Sequence, residues 1–151
     1  FTKHHIFTES EIYSRYEIML ENYSKTIHIE SRTLTDMVYK DFLPGLLDYT
    51  DKVTCAVANR KNVAGLPCTK ELQLIHTLSD GYEKITELTE KLATDTATAE
   101  SMEDALALAN LYHDTILPDM EAVRHAADAV EVLLPAGALP YPCYSDMLFY
   151  V

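Results

Sequence analysis

Six histidines, three cysteines and 24 acidic side chains are the chain's supply of ligands, nucleophiles and proton carriers. The histidines stand at 4, 5, 28, 76, 113 and 125. A bundle-type di-metal site needs Glu-x-x-His on facing helices, and no histidine here has a glutamate three positions earlier. HExxH and paired Cys/His spacings are absent as well. His76 with Asp80, and Glu121 with His125, are i,i+4 pairs able to clip a cation. Acid–histidine pairs at this spacing are more commonly plain surface contacts. Cys55, Cys68 and Cys143 lack a histidine at a nucleophile's spacing. The four glycines, at 45, 65, 81 and 137, are too scattered to cradle a phosphate. These patterns assign no catalytic, cofactor-binding or metal-ligating residue.

Two weaker arrangements remain. The stretch His76-Thr77-Leu78-Ser79-Asp80-Gly81 is similar to the phosphoryl-accepting helix of bundle phosphotransfer domains, where a glycine after the histidine leaves room for phosphate. Its lysine is missing, and Asp80 puts like charge where the phosphate would sit. The other arrangement is polar residues on apolar stripes. Glu30 falls between Ile27 and Leu34 on the first helix, and His113 falls on the seam of the third. A buried carboxylate is costly unless paired. One reading is an acid–histidine site inside the bundle. The other is a structural polar core of Glu30, His113 and Arg124, and it is preferred because a lone acid without a second catalytic group is seldom a site.

The elements that must position these residues are helices. Thr8 and Glu11 have the spacing of a capping box. Ile12, Tyr16, Met19, Tyr23, Ile27, Leu34 and Met37 then recur in steps of mostly 3 and 4. Glu21–Lys25, Asp36–Lys40 and Asp48–Lys52 add supporting i,i+4 pairs. Pro44 interrupts this helix, but Leu46, Leu47, Tyr49 and Val53 resume the pattern. The reading is one helix over about 8–60, kinked at Pro44. A second helix spans 69–94, capped by Thr69, with Gly81 marking a close crossing and ATDTATAE fading out of it. A third spans 101–134, capped by Ser101, with a seam of Leu106, Ala109, His113, Ile116, Met120, Val123, Ala127, Val130 and Leu134. The fold class is all-α: an up-down bundle of three long helices, four if the first breaks at Pro44, forming one domain over 1–151. The tail 135–151 is extended. Tyr141, Pro142, Tyr144, Asp146, Leu148 and Phe149 are its docking or interface residues, because its apolar side chains are too bulky to stay solvated.

Composition agrees. The 151 residues suit one domain, and only 4 glycines and 6 prolines leave little turn material for a many-stranded fold. The net charge of −12 repels phosphate backbones and anionic lipid, so neither nucleic acid nor a membrane is expected as a partner. That charge is concentrated in residues 100–151, where Arg124 is the single base, and the bases of the first helix are expected to face it. No apolar run approaches the ~18–20 residues that span a bilayer. Three cysteines without a CxxC pair fit a reduced, cytoplasmic chain. The start, polar and without an initiator Met, reads as a piece cut from a longer protein.

The sequence EIYSRYEIMLENYSKTIHIESRTLTDMV, the following Leu43-Pro44 and the tail YPCYSDMLF resemble the C-terminal helical domain of type III glutamine synthetases. Glu11, Arg15, Glu17, Glu21, Tyr23, Lys25 and Glu30 carry much of the likeness. Tyr112, Asp114, Met120, Arg124 and Asp128 add to it, as do Pro140, Pro142, Tyr144, Asp146 and Phe149. The family tail opens with Trp where this chain has Leu139, and often carries Thr at the position of Cys143. The resemblance implies a parent enzyme that joins ammonia to glutamate with ATP and Mg2+ or Mn2+, in large ring-shaped homo-oligomers. It places the catalytic residues upstream and transfers none to these positions. It makes this piece a non-catalytic accessory domain whose partners are the catalytic core of the same chain and neighbouring subunits. The alternative is an independent helical adaptor or His-phosphotransfer-like module.

Overall fold

In the computed structural model, which describes residues 2–4, 6–142 and 147–148, the chain is a three-run helical bundle. Thr8 starts the first run. Its backbone N–H donates to Glu11 Oε2 at 2.8 Å, and the Glu11 N–H donates back to Thr8 Oγ1 at 3.3 Å. Helix α1 follows over Glu9–Met37. The chain then stays helical past the proline. A wide π turn, Val38–Phe42, leads into α2, Leu43–Ala64. Pro44 lacks an N–H, and its ring would strike the carbonyl four residues back in a regular helix. The π turn opens the ladder just before it, with the Leu43 N–H bonding to Val38 O five residues back. Gly65 ends α2 in the left-handed region at φ 60°.

Helix α3, Thr69–Glu100, returns antiparallel to α2. Its cap residue is Cys68 rather than Thr69, and no side chain bonds there. The helix also runs through ATDTATAE, past the expected end at 94. The Thr94 and Thr98 hydroxyls donate to the carbonyls of Glu90 and Thr94, which satisfies them locally. Thr96 and Ala99 are buried, so these small residues are core positions. Ser101 closes α3, its Oγ donating to Thr98 O at 2.7 Å. The third run is capped instead by Asp104, which accepts from the Ala107 N–H at 2.6 Å. It comprises α4, Ala105–Leu111, a second π turn, Tyr112–Ile116, and α5, Leu117–Glu131.

The core lies along α3. Leu78, Ile85, Leu92 and Ala99 recur every seven residues on one line and are buried against Leu46, Ile116 and Val123. This is the seam spacing of packed antiparallel helices. A Cβ added at Gly81 would lie 2.5 Å from Val130 Cγ2, so glycine sets how closely α3 and α5 approach. The tail crosses α2 at Gly45, where an added Cβ would meet Ala138 O at 2.7 Å. At the opposite end, residues 9–19 of α1 project beyond the bundle as an arm, about 16 Å long at 1.5 Å per residue.

Candidate functional site

The expected polar core does not form. Glu30 is exposed, and Ser31 takes the inward place between Ile27 and Leu34. Steps of 3 then 4 and of 4 then 3 fit that interval equally. The bundle uses the smaller side chain, because α1 approaches α3 closely enough there for the Thr96 hydroxyl to reach Ser31 Oγ at 3.4 Å. His113 is also exposed and bonds to its neighbour Asp114 at 2.7 Å. Ala109 and Ile116 on either side keep the expected seam, and between them a step of 3 then 4 turns Tyr112 inward in place of His113. Arg124 is exposed, with Nε 3.8 Å from Asp128 Oδ2.

The polar cluster that does form was not singled out by spacing. His28 Nδ1 and Tyr112 Oη are 2.9 Å apart, with the rings edge-on at 88°. His28 Nε2 lies 3.6 Å from Glu100 Oε1, and Arg32 reaches the same oxygen at 4.0 Å. Burial, aided by the Glu100 charge, raises the Tyr112 phenol above its ordinary pKa. The cluster joins α1, the end of α3 and the second π turn at the root of the arm. A cavity of about 460 Å³ opens beside it, lined by Ser24, His28, Ile29, Ala99, Met102 and Leu108 among others. Ser24 Oγ is buried there without a hydrogen-bond partner. A sequence signal for the cluster existed, since His28 and Tyr112 are polar-tipped residues near two stripes. Nothing in one-dimensional spacing pairs them across the fold.

Beyond that root α1 carries an apolar stripe that is exposed among the described residues. Ile12, Tyr16, Met19 and Tyr23 are exposed, Met19 at 71%. They lie beside the buried line, which runs from Val38, Ser31 and Ile27 through Ser24 to the half-buried Leu20. Ile12, Tyr16, Met19 and Tyr23 were all expected to be core.

The tail residues differ among themselves. Leu139 is buried and Tyr141 half-buried, while Pro142 is exposed. Tyr141, Pro142 and Met147 rim a largely apolar cavity of about 400 Å³ floored by Leu34, Val38 and Phe42. Leu148 is 79% exposed. Tyr144, Asp146 and Phe149 lie outside the described residues.

Of the bases of α1, Arg32 reaches the acidic segment at Glu100, and Lys25 lines the cavity shared with Leu108 and Tyr112. Lys25 and Lys40 pair along their own helix with Glu21 and Asp36. The link to the third run comes from α3, where Lys91 Nζ lies 2.6 Å from Asp119 Oδ2 and 3.0 Å from Asp95 Oδ2. His76 is exposed, and the space its neighbour Gly81 leaves is taken by Val130. Among the described residues no group of three His, Cys, Asp or Glu side chains converges as a metal-ligand set. No described helix is long and apolar enough to cross a membrane.

Comparison with known proteins assigns the bundle. Residues 1–61 match the model of the family described as the glutamine synthetase C-terminal domain. A glutamine synthetase of Butyrivibrio fibrisolvens is 44% identical over 150 residues, which cover 99% of this chain. The chain belongs to the glutamine synthetase C-terminal domain family. A glutamine synthetase of Bacteroides fragilis (strain YCH46) is 25% identical over 95% of the chain. The type-3 glutamine synthetase of Dictyostelium discoideum is 26% identical over 99% of it. The chain spans only 21%, 20% and 21% of these three relatives. The family match covers the arm, the first π turn and most of α2.

Proposed function

We propose that this chain is the non-catalytic accessory domain of a cytoplasmic glutamine synthetase, serving oligomer contacts or support of the catalytic core. Its parent would make glutamine from glutamate, ammonia and ATP with Mg2+ or Mn2+, and its partners would be that core and neighbouring subunits. The observation that carries the reading is the arm. A stripe of Ile12, Tyr16, Met19 and Tyr23 has core spacing and stands exposed among the described residues. An exposed apolar face of this size on a helix marks an interaction surface. The filling of the space at Gly81 by Val130 counts against the phosphotransfer alternative.

The test is to assay the full-length parent with and without residues 1–151, reading ligase activity and particle mass together. Loss of the native oligomer, or of activity through a weakened core, is the expected result. An unchanged enzyme of unchanged mass would overturn the reading. ATP-dependent glutamine formation by the isolated chain would also overturn it.

A further inference from the structure

We propose that the tip of the α2–α3 hairpin is a separate docking surface, which seats on a carboxylate-rich protein surface within the parent assembly. The proposal rests on the reading of this chain as one domain of a larger enzyme. It concerns the end of the molecule opposite the arm.

The hairpin outruns the rest of the bundle. Val130, in the last turn of α5, packs at Gly81, and the tail crosses α2 at Gly45. From Gly81 back to Thr69, α3 continues for about 18 Å at 1.5 Å per residue. Along that stretch the two helices bury Val57 and Cys68 but leave Val53, Leu72 and Ile75 half-buried. At the tip Val63 is 87% exposed and Leu66 49%. The tip is also held in shape. The Gly65 N–H donates to Lys61 O at 3.0 Å, and the Leu72 N–H donates to Cys68 O at 3.0 Å. A surface already ordered loses little freedom on docking.

Its charge runs against that of the chain. Between Asp51 and Glu71 stand Lys52, Arg60, Lys61 and Lys70, all exposed, and no acid, in a chain of net charge −12. Helix chemistry accounts for Arg60 and Lys61, because the C-terminal end of α2 favours a base. It does not account for Lys70, which stands at the second position of α3, where the dipole disfavours one. Glu71 balances Arg60 at 2.9 Å. Lys61 and Lys70 therefore flank the exposed Val63 and Leu66 with positive charge. Bases beside apolar side chains are complementary to carboxylates around an apolar recess. Anionic lipid would meet the same tip, but Asp48, Asp51, Glu71 and Asp80 on the hairpin and the net charge of the chain repel it. The parent assembly is the source of the partner because a tethered surface stands at about millimolar effective concentration, where a contact of modest strength is populated.

The test compares the full-length parent with the chain of residues 1–151. With Cys55→Ser and Cys143→Ser as background, Val63→Cys is alkylated with iodoacetamide and the modification at that position is followed by peptide mass spectrometry. Alkylation in the parent should be slower by about 10-fold or more, the protection given by a contact formed nine-tenths of the time. Acetylation of Lys61 and Lys70 in the unsubstituted protein should show the same protection. Lys61→Glu with Lys70→Glu should abolish the protection of Val63→Cys, and Lys61→Arg with Lys70→Arg should keep it. Circular dichroism of the Glu variant of residues 1–151 should show unchanged helix content. Equal alkylation rates in parent and isolated chain overturn the proposal. Protection that survives the Glu pair overturns it too, since the contact then needs no carboxylates. Binding of the isolated chain to vesicles of phosphatidylserine and phosphatidylcholine in equal parts, lost in the Glu pair, would assign the tip to lipid and overturn it as well. If the tip shows no protection but deletion of residues 1–151 still dismantles the parent, this proposal fails and the accessory-domain reading stands.

Discussion

The two π turns, Val38–Phe42 and Tyr112–Ile116, solve one problem in two settings. Each is five residues long and is followed by Leu-Pro, Leu43-Pro44 and Leu117-Pro118. In each the leucine N–H bonds five residues back, to Val38 O and Tyr112 O. They differ in what they present. The first turns Val38, Phe42 and Leu43 into the core and leaves Gly45 for the tail to cross. The second turns in Tyr112 and Ile116, gives a phenol to His28, and is followed by Asp119, which holds Lys91. A proline inside a helix therefore need not end it when a residue is inserted ahead of it. At the first turn the insertion also shifts the buried line, from Val38 to Leu46, whereas at the second Ala109, Ile116, Val123 and Val130 stay seven residues apart.

The comparison breaks most readily at the last residue of each turn. Phe42→Ala should cost about 3–5 kcal/mol and Ile116→Ala about 2–5 kcal/mol, because both are buried and leave cavities. Urea denaturation of the two variants checks this. A cost below about 1 kcal/mol at either site would remove that turn from the core.

The residue after each proline gives the next contrast. Gly45→Val places a side chain against the Ala138 carbonyl and should destabilise by about 1–3 kcal/mol while displacing the tail. Increased proteolysis near residues 138–142 is the sign to look for. Intact resistance with wild-type stability would mean the tail does not hold to α2.

A smaller effect distinguishes the first residues, Val38 and Tyr112. Tyr112→Phe removes the hydroxyl from His28 and should cost about 0.5–1.5 kcal/mol at neutral pH. Its alkaline behaviour carries a sign. The folded phenol's pKa is raised above 10.0, so its contribution is complete below that value and is lost as pH rises through the folded pKa. The Phe variant should lose stability less steeply than wild type over that alkaline range, and Val38→Ala should leave the slope alone. Equal slopes for wild type and Tyr112→Phe would refute the assignment.

The smallest effect belongs to Lys91. Its hydrogen bonds to Asp119 and then Asp95 raise the ammonium pKa, but the side chain is largely exposed. Lys91→Ala should cost about 0–1 kcal/mol and become neutral at high salt. A larger, salt-independent loss would show that packing of its stem matters more than its charge.

Sequence spacing was sufficient for the helices and for the Thr8 cap, because both depend on neighbours within four residues. It was insufficient wherever register depended on another helix. Glu30 and Ser31 are equally spaced between their apolar neighbours, and only the approach of Thr96 selects the serine. Tyr112 and His113 pose the same choice between Ala109 and Ile116, and the fold selects the tyrosine. ATDTATAE looked like a fraying end because threonine is polar, yet in a helix its hydroxyl is satisfied by the carbonyl four back. The arm was read as core for a different reason. A stripe reports that a helix needs a partner, and its spacing is the same whether that partner is in the chain or outside it.

The short connection at Gly65–Cys68 has a consequence for the order of folding. It makes the contacts between α2 and α3 local in sequence, and local contacts form at low cost in loop entropy. The α2–α3 hairpin is thus the natural nucleus, and the third run closes over it through Ile116 and Val123. Arm residues gain nothing from either step. Their amides should exchange with solvent through openings far smaller than global unfolding, while those around Ile85 and Leu92 wait for the whole bundle to open.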